Sequence, residues 1–383
     1  MIAKGNWKKT SIGDVVREVK DEINRNDNPF EFYVAGEHME TETLHIRQKG
    51  TFGIDYVGPA FKRIFRKRQV LYGSRRTYLK KIAVADFDGI TSNTTFVLET
   101  KSEENLLQDL LPFILLSDDF TQHSIQKSRG SVNPYIVFSD IAKFEFLLPS
   151  INEQKRIAEL LWAAEKQIVS LEVVVENMRI LRNTYFRYTQ NEEFLKEEKK
   201  QYRLLSIEDS YDILNNLRRP ISASERSSIQ GKYPYYGPTG ILDYINEYRV
   251  DGEYVLIGED GDHFLKYETW NMTQLINGKN NVNNHAHILK GKNGNLTKWF
   301  YYYFKHRDIT KYLSKQGSGR LKLNKSTLQK MKIVIPSTGT QEYLCNQYDE
   351  IENALTDSIN NLNDAKNILN SLIRFFFGGA TNV

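Results

Sequence analysis

The strongest constraint on the fold of this chain is a long internal repeat. Residues 125–161 share a pattern of glycine, lysine, proline and glutamine with residues 313–348, about 187 positions further along. In both copies a run with apolar residues at heptad spacing follows the proline. A repeat of this length predicts two similar domains on one chain and a target with matching two-fold character. The matched pairs are Gly130 and Gly317, Ser131 and Ser318, Lys143 and Lys330, Pro149 and Pro336, and Gln154 and Gln341.

Composition places the chain among folded proteins with a substantial core. Of 383 residues, 40% are hydrophobic and 26% charged, enough for two or three domains. No apolar run approaches the roughly 20 residues of a membrane span, and none follows the first residues as a signal peptide requires. The single cysteine, Cys345, excludes an internal disulfide and a cysteine-based zinc site. We therefore expect a cytoplasmic protein.

Positive charge is concentrated in two segments that contain no acid. They are residues 56–85 and 309–341, one in each copy of the repeat. One such run is typical of a solvated surface, whereas one in each copy also favours a polyanionic partner. The basic residues are Lys62, Arg63, Arg66, Lys67, Arg68, Arg75, Arg76, Lys80 and Lys81, then Lys311, Lys315, Arg320, Lys322, Lys325, Lys330 and Lys332.

The chain divides into four segments. Residues 1–150 and 198–337 mix short β-like runs with turn signals, and each holds one helix-like stretch, near Leu106–Leu116 and at TKWFYYYFKH. Residues 151–197 and 338–383 each hold one long helix. These bounds predict an α/β (α+β) protein of two similar globular domains and two long helices, with a pseudo-two-fold internal repeat. The hydrophilic stretch QNEEFLKEEKKQ lets the chain turn from the first helix into the second domain.

Both long helices have coiled-coil seams, with apolar residues in four-three spacing. Arg182 interrupts the first seam and Ser358 the second. Two such helices in one chain most simply pack antiparallel on each other, and the alternative is that each pairs with another subunit. The seams are Ile157, Leu161, Ala164, Ile168, Leu171, Val175, Met178 and Tyr185, and Tyr348, Ile351, Leu355, Leu362, Ala365, Leu369, Leu372 and Phe376.

Several short motifs suggest chemistry but have simpler interpretations. His285 and His287 stand two apart, as two metal ligands on one strand face would, but no third ligand is evident nearby. The sequence VNPYI resembles the Asn-Pro-Pro-Tyr motif of amino-methyltransferases but has one proline, so we interpret Pro134 as a turn. The loop GEDGDH lacks the ligand spacing of an EF-hand. There is no GxxxxGK[ST] motif for ATP binding and no convincing nuclease cluster.

Over nearly its full length the chain resembles the specificity (S) subunit of type I restriction-modification systems. The resemblance rests on FLLPSINEQKRIAELL and VIPSTGTQEYL, each before a seam helix, and on LYGSRRTYLKKIAVADFDGITSNTTFVLE, YPYYGPTGILDYI and GEYVLIGEDG. Thr340 stands where the first copy has Glu153, which weakens only that match. The resemblance implies two target recognition domains, each reading half of a bipartite, asymmetric DNA site, and a central antiparallel helix pair that fixes their separation.

The resemblance also implies partners. The helices would dock two methylation (M) subunits that hold S-adenosylmethionine and methylate an adenine in each half-site, and restriction (R) subunits would use ATP and magnesium. The chain itself would bind double-stranded DNA, hold no cofactor or metal and catalyse nothing. Two alternatives stay open: a stand-alone DNA methyltransferase or nuclease with its own recognition domains, and a coiled-coil adaptor without a DNA role.

Polar and aromatic loops beside the basic segments supply the candidate DNA contacts. Each loop taken singly is typical of an ordinary turn, but asparagine, serine and arginine on loops are also what reading base edges requires. Ser92, Asn93 and Thr94 correspond to Asn283, Asn284 and His285, each just before a β-like run. The candidates are Arg75, Arg76, Tyr78, Lys80, Lys81, Ser92, Asn93, Thr94, Lys127, Arg129, Ser131, Tyr235, Tyr236, Thr239, His263, Asn283, Asn284, His285, Lys315, Gln316, Ser318, Arg320 and Lys322.

Overall fold

The protein folds as two compact units, seen in a computed structural model that describes residues 6–24, 27–316 and 320–379. The first unit comprises Met1–Leu171 and Asn361–Val383, and the second comprises Glu172–Asn360. Each long helix therefore begins in one unit and ends in the other. None of the described helices is both long enough and apolar enough to cross a membrane.

Three small sheets build the first unit. Strands 1 and 10 pair antiparallel, and two four-stranded sheets have the orders β2-β9-β6-β7 and β4-β3-β8-β5. The strands are β1 (Lys8–Ser11), β2 (Val16–Val19), β3 (Phe32–Val34), β4 (Gly50–Thr51), β5 (Phe61–Phe65), β6 (Val70–Gly73), β7 (Ile82–Val84), β8 (Gly89–Ser92), β9 (Thr95–Thr100) and β10 (Glu145–Leu148). The helices are α1 (Ile12–Val15), α2 (Leu111–Leu116), α3 (Asp118–Lys127), α4 (Phe138–Ile141) and the first part of α5 (Ile151–Thr189).

The second unit repeats this plan. Strands 11 and 22 pair antiparallel, and the four-stranded sheets have the orders β12-β19-β16-β17 and β14-β13-β18-β15. The strands are β11 (Tyr202–Ser206), β12 (Tyr211–Ile213), β13 (Gln230–Tyr236), β14 (Ile241–Ile245), β15 (Val250–Asp251), β16 (Tyr254–Gly258), β17 (Thr273–Ile276), β18 (Lys279–Val282), β19 (Ala286–Gly291), β20 (Ser314–Gln316), β21 (Arg320–Lys322) and β22 (Lys332–Pro336). The helices are α6 (Glu192–Glu197), α7 (Ile207–Ser210), α8 (Ala223–Ser228), α9 (Thr297–Phe304), α10 (Lys325–Lys330) and the first part of α11 (Thr338–Phe377).

The two units share even the unusual feature of their sheets, one parallel pair among antiparallel neighbours. Strand β3 pairs parallel with β8, and β13 pairs parallel with β18. The prediction of two similar α/β units is therefore confirmed in topology as well as in element content. The helix-like stretch near Leu106–Leu116 is shorter than expected, because residues 108–110 form a 3-10 turn before α2.

The long helices pack antiparallel within each unit. In the second unit the hydroxyl groups of Thr189 and Tyr348 form a hydrogen bond at 2.7 Å. The ring centroids of Phe186 and Tyr348 are 4.3 Å apart. About one turn before Phe186 in α5, Arg182 faces the charge of Glu352, which lies about one turn after Tyr348 in α11. In the first unit the start of α5 and the end of α11 share one apolar core. The seams thus bury each other, as the heptads predict.

A buried glutamine anchors the start of each long helix. In the first unit Gln154 accepts a hydrogen bond from the N–H of Leu107 at 3.0 Å and donates to the carbonyls of Asn105 and Pro149. In the second unit Gln341 accepts from the N–H of Leu296 at 2.9 Å and donates to Pro336. Both side chains are buried and satisfied, so each amide joins a seam helix to its own globular part.

Candidate nucleic-acid interface

Three segments that are distant in sequence meet in the first unit. The N–H of Ser74 donates to the carbonyl of Thr94 at 2.9 Å, and the N–H of Ile136 donates to the carbonyl of Ser74 at 2.9 Å. The N–H of Arg76 donates to Pro134 at 2.7 Å, and Arg75 forms a β-bridge with Tyr135. We call residues 74–76, 93–94 and 134–136 the first junction. It joins the end of β6, the β8–β9 turn and the loop that precedes α4.

The second unit forms the same junction from equivalent residues. The N–H of Glu259 donates to His285 at 2.7 Å, and the N–H of Leu323 donates to Glu259 at 2.7 Å. The N–H of Gly261 donates to Leu321 at 3.1 Å, and Asp260 forms a β-bridge with Lys322. We call residues 259–261, 284–285 and 321–323 the second junction. The predicted correspondence of residues 92–94 with 283–285 is confirmed by this shared bonding pattern.

Basic and polar side chains are exposed at the first junction. The guanidinium of Arg75 lies 6.0 Å from the ring centre of Tyr135, and Arg76 donates from Nε to the Asn133 side chain at 3.3 Å. Arg76 has a left-handed backbone, with φ of 49°. A cavity of about 660 Å³ opens beside these groups. Its lining includes Glu18, Lys20, Arg63, Ser74, Arg75, Asn93, Thr94, Tyr135 and Phe138.

Ion pairs organise the second junction. Nδ1 of His285 lies 2.8 Å from the carboxylate of Asp260. The neighbouring carboxylate of Glu259 accepts a hydrogen bond from Arg218 at 2.5 Å, and it lies 3.3 Å from Nζ of Lys322. Burial by itself would raise the pKa of Glu259, but the hydrogen bond from Arg218 and the neighbouring positive charges lower it below its ordinary value. The carboxylate of Glu259 is therefore the charged centre that holds this junction together.

The predicted histidine pair is engaged in protein contacts. Nε2 of His287 donates to the carbonyl of Leu323 at 2.8 Å, and Nδ1 accepts from Asn215 at 2.8 Å. Burial lowers the pKa of His287, which favours the neutral ring that these two bonds require. Among the described residues, no three histidine, cysteine, aspartate or glutamate side chains are grouped to hold a metal ion.

Of the 23 candidate contacts predicted from sequence, eleven have exposed side chains. Thr94, Lys81, Tyr236, His285 and Lys322 are half-buried, and Lys81 donates to the carbonyl of Gly36. Gln316 lies in strand β20, and Ser318 lies outside the described residues. The exposed candidates are Arg75, Arg76, Tyr78, Asn93, Lys127, Arg129, Ser131, Thr239, Asn284, Lys315 and Arg320.

Tyr235 and His263 require correction, because their side chains face the interior. The hydroxyl of Tyr235 accepts from the N–H of Ile221 at 2.9 Å and donates to Arg219 at 3.0 Å. His263 is buried against Phe264 and lies where a Cβ at Gly258 or Gly261 would stand. The glycines of the GEDGDH loop thus make room for this imidazole, whose pKa burial lowers. Neither side chain is placed to contact DNA.

Ser92, Asn283 and Lys80 also require correction. The hydroxyl of Ser92 and the amide oxygen of Asn283 accept from the N–H groups of Thr94 and His285, at 3.3 and 2.8 Å. These buried side chains shape the turn, so within each turn the exposed neighbours Asn93 and Asn284 are the better candidates. Lys80 lies 2.9 Å from Asp118 and 3.1 Å from Glu42, which neutralise it.

Sequence reasoning missed the residues that support the junctions, chiefly Tyr135, Arg218 and Glu259. Tyr135 belongs to the VNPYI motif, where it forms bridges to Arg75 and Arg129. A charged residue directly after an apolar strand, as in VLIGED, was the available signal for Glu259. Arg218 had none, because it reaches the junction from a loop 41 positions away in sequence.

Comparison with known families identifies the chain. The family model described as the type I restriction modification DNA specificity domain matches residues 4–173 and 199–365. The chain belongs to this family. The two matched regions follow the two copies of the repeat, so the resemblance stated from the sequence is confirmed.

Individual relatives of the family support the same assignment over shorter stretches. A Haemophilus influenzae chain named as a type I restriction enzyme specificity subunit is 36% identical over 135 residues, 35% of this chain and 33% of the relative. The Escherichia coli EcoprrI specificity subunit is 28% identical over 136 residues, 35% and 32% of the two chains. The matched stretch thus spans about a third of the curated relatives' length.

Solved structures of the family share the fold across the whole chain. A type I restriction-modification S subunit from M. genitalium aligns with a TM-score of 0.63 at 17% identity, covering 100% of this chain and 99% of that one. A chain from a structural study of type I system assembly and conformational transition aligns with a TM-score of 0.61 at 17% identity, covering 98% of each chain. At this identity the likeness concerns the fold.

Proposed function

We propose that this chain is the DNA sequence-specificity subunit of a type I restriction-modification complex. Each globular part, residues 1–150 and 198–337, binds one half of a bipartite, asymmetric DNA site. The regions 151–197 and 338–383, with their long helices, scaffold two methylation subunits and the restriction subunits. In this assignment S-adenosylmethionine belongs to the methylation subunits, and ATP and magnesium to the restriction subunits. The chain contributes recognition and no catalytic group.

The repeated junction is the observation that best supports this proposal. The same four backbone contacts form twice, but the side chains that they present differ, as with Thr94 and His285. A shared frame with different outward groups suits two half-sites of different sequence. Basic residues around each junction, including Lys127 and Lys315, are exposed and suited to phosphate contacts.

The sequence motifs that favoured a stand-alone enzyme have structural roles here. In VNPYI, Pro134 and Tyr135 are bonded into the first junction. In GEDGDH, Glu259 and Asp260 belong to the second junction, and Gly261 gives space to His263. These contacts account for both motifs without a catalytic function.

Exchange of residues 1–150 for the corresponding part of another family member tests the proposal. The complex of the hybrid chain with its methylation subunits should methylate a site altered in one half-site only. Sequencing of methylated adenines in a genome gives both half-sites at once, and the parental chain is the control. A change in both half-sites, or in neither, would contradict the assignment of one half-site to each recognition domain.

A heptad inserted into α5, after Leu171, tests the scaffold. Seven residues add about 10 Å of helix at 1.5 Å per residue, so the unread spacer of the site should lengthen while both half-sites stay the same. A matched variant with seven residues inserted into the exposed Thr239 turn should leave the spacer unchanged. An unchanged spacer in the first variant would show that α5 does not set it.

A further inference from the structure

The two junctions present groups of opposite hydrogen-bonding character at equivalent backbone positions. Arg75 corresponds to Asp260, Thr94 to His285, and Tyr135 to Lys322, as the shared bonds and bridges establish. Because the same backbone hydrogen bonds form at both junctions, the side chains at these positions can be compared directly. This comparison allows one base contact in each half-site to be inferred.

At the first junction the outward group is a pure donor. Arg75 is exposed and forms no ion pair among the described residues, although Tyr135 lies beside it. A guanidinium offers two parallel N–H groups, which match the O6 and N7 acceptors of guanine in the major groove.

At the second junction the outward group is an imidazole held in one tautomer. Nδ1 of His285 donates to Asp260 across 2.8 Å, so the neutral ring carries its proton on Nδ1 and Nε2 becomes an acceptor. The side chain of His285 is 43% exposed, whereas that of Asp260 is 15% exposed. His285 is therefore the group that can meet a base, and Asp260 is its positioning residue.

The imidazole is fixed before any ligand arrives. The N–H of His285 donates to Asn283 at 2.8 Å, and its carbonyl accepts from Glu259 at 2.7 Å. Arg218, paired with Glu259, also donates to the carbonyl of Asn284 at 3.0 Å. A side chain held in this way loses little conformational freedom on binding, which favours a specific contact over an adaptable one.

We propose that Arg75 reads a guanine in one half-site, and that His285, oriented by Asp260, reads an exocyclic amino group in the other. That amino group is N4 of cytosine or N6 of adenine, the two donors that bases present in the major groove. The inference rests on the proposed function, since it assigns residues within the two half-sites.

The test uses the chain assembled with its methylation subunits and a duplex library randomised across both half-sites. With Arg75→Ala, preference for one guanine in the first half-site should fall about tenfold to a hundredfold. With His285→Ala, preference at one cytosine or adenine in the second half-site should fall by a similar factor. Which base is relaxed distinguishes the two amino groups, and each variant's unaltered half-site is its control.

Conservative variants distinguish the base contact made by His285 from the orientation of its ring by Asp260. Asp260→Asn keeps an oxygen that accepts from Nδ1 and should retain the base preference, whereas Asp260→Ala should relax the same position as His285→Ala. Where His285→Ala fails to assemble, His285→Phe preserves the ring without its nitrogens and gives the same measurement. Unchanged preference in either His285 variant would overturn the inference for this junction. An unchanged guanine preference in Arg75→Ala would overturn it for the first.

Failure of the proposed function gives a different result. In that case the unaltered complex would select no bipartite site from the library at all. If the unaltered complex selects a bipartite site, and the Arg75 and His285 variants select the same site with the same preference, only the base contacts are refuted.

Discussion

The two junctions share one pattern of backbone hydrogen bonds, but different side chains stabilise it in each. In the first, the hydroxyl of Ser74 donates to the carbonyl of Thr94 at 2.7 Å. In the second, Glu259 stands at the equivalent place, and its partner Arg218 donates to the carbonyl of Asn284. A neutral hydroxyl and a half-buried ion pair thus secure the same turn. The comparison shows that the frame tolerates large changes of charge at equivalent positions, as the proposed reading of two different half-sites would require.

Removal of Glu259 should expose the difference between the junctions most strongly. Glu259→Ala leaves Arg218 and Lys322 without their carboxylate, and we expect a loss of about 3 kcal/mol from the free energy of unfolding of the second unit. Ser74→Ala removes one neutral hydrogen bond and should cost about 1 kcal/mol in the first unit. Urea denaturation measures the loss of stability in each variant, and hydrogen exchange of the backbone amides assigns that loss to one unit.

Glu268→Ala is the matched control, because Glu268 forms an exposed ion pair with Arg187. Such a pair contributes at most about 1 kcal/mol. Equal losses in Glu259→Ala and Glu268→Ala would show that the Glu259 network does not hold the second junction.

The buried glutamines test what the units have in common. Gln154→Ala and Gln341→Ala each leave a part-buried N–H without its acceptor, at Leu107 and Leu296 respectively. We expect each change to lower the free energy of unfolding of its own unit by about 2–3 kcal/mol. The exposed Gln126 is the control, and Gln126→Ala should leave stability unchanged. A large effect in one unit alone would mean that the two anchors are not equivalent.

Acid should weaken the second unit through His306. Burial, aided by the charge of Arg182, lowers the pKa of His306 to about 3. The unfolded chain then binds more protons than the folded chain between pH 6.5 and about 3, so stability is complete above this window and falls as the pH decreases through it. The loss between pH 7 and 5 should be about 2 kcal/mol.

His306→Gln removes this titration and should flatten the dependence of the unfolding free energy on pH. Part of the slope should remain, because burial also lowers the pKa of His263 and His287. A slope identical to that of the unaltered chain would show that His306 is protonated equally in the folded and unfolded states.

The smallest predicted effect concerns the interruption of the first seam. Arg182 is buried at the heptad position that Leu369 occupies in α11, and burial lowers its pKa. Glu352 keeps Lys305 as a partner at 2.8 Å, so Arg182→Leu should stabilise the second unit by about 1 kcal/mol. A melting-temperature decrease would mean that attraction between Arg182 and Glu352 exceeds the cost of burying the guanidinium.

The sequence located the regular elements well. The heptads predicted both long helices, and the short β-like runs expected in residues 1–150 and 198–337 correspond to strands of the sheets. These signals are local, since strand alternation and heptad spacing reflect which face of a segment is buried. The helix near Leu106–Leu116 was overextended because apolar content alone does not distinguish a 3-10 turn from an α-helix.

Candidate contacts were harder to predict because residue type does not reveal side-chain direction. Tyr235 and Asn93 were both predicted to contact DNA because each carries a polar group. The side chain of Tyr235 is buried and bonded to two backbone groups, whereas that of Asn93 is exposed. Lys80 looked free within an acid-free run, but Asp118 and Glu42 reach it from other segments. Partners distant in sequence decided each case.

The resemblance to the specificity-subunit family rested on motifs in the sequence. By itself, the sequence also determined the duplication, the heptad helices and the basic character near both junctions. Those properties depend on spacing and composition, which any reader of the chain can measure. Only the tertiary structure decided which residues form the junctions, since Ser74, Thr94 and Ile136 meet through backbone hydrogen bonds that leave no trace in residue type. It also decided that His285 faces outward beside Asp260 while His287 faces inward to Leu323.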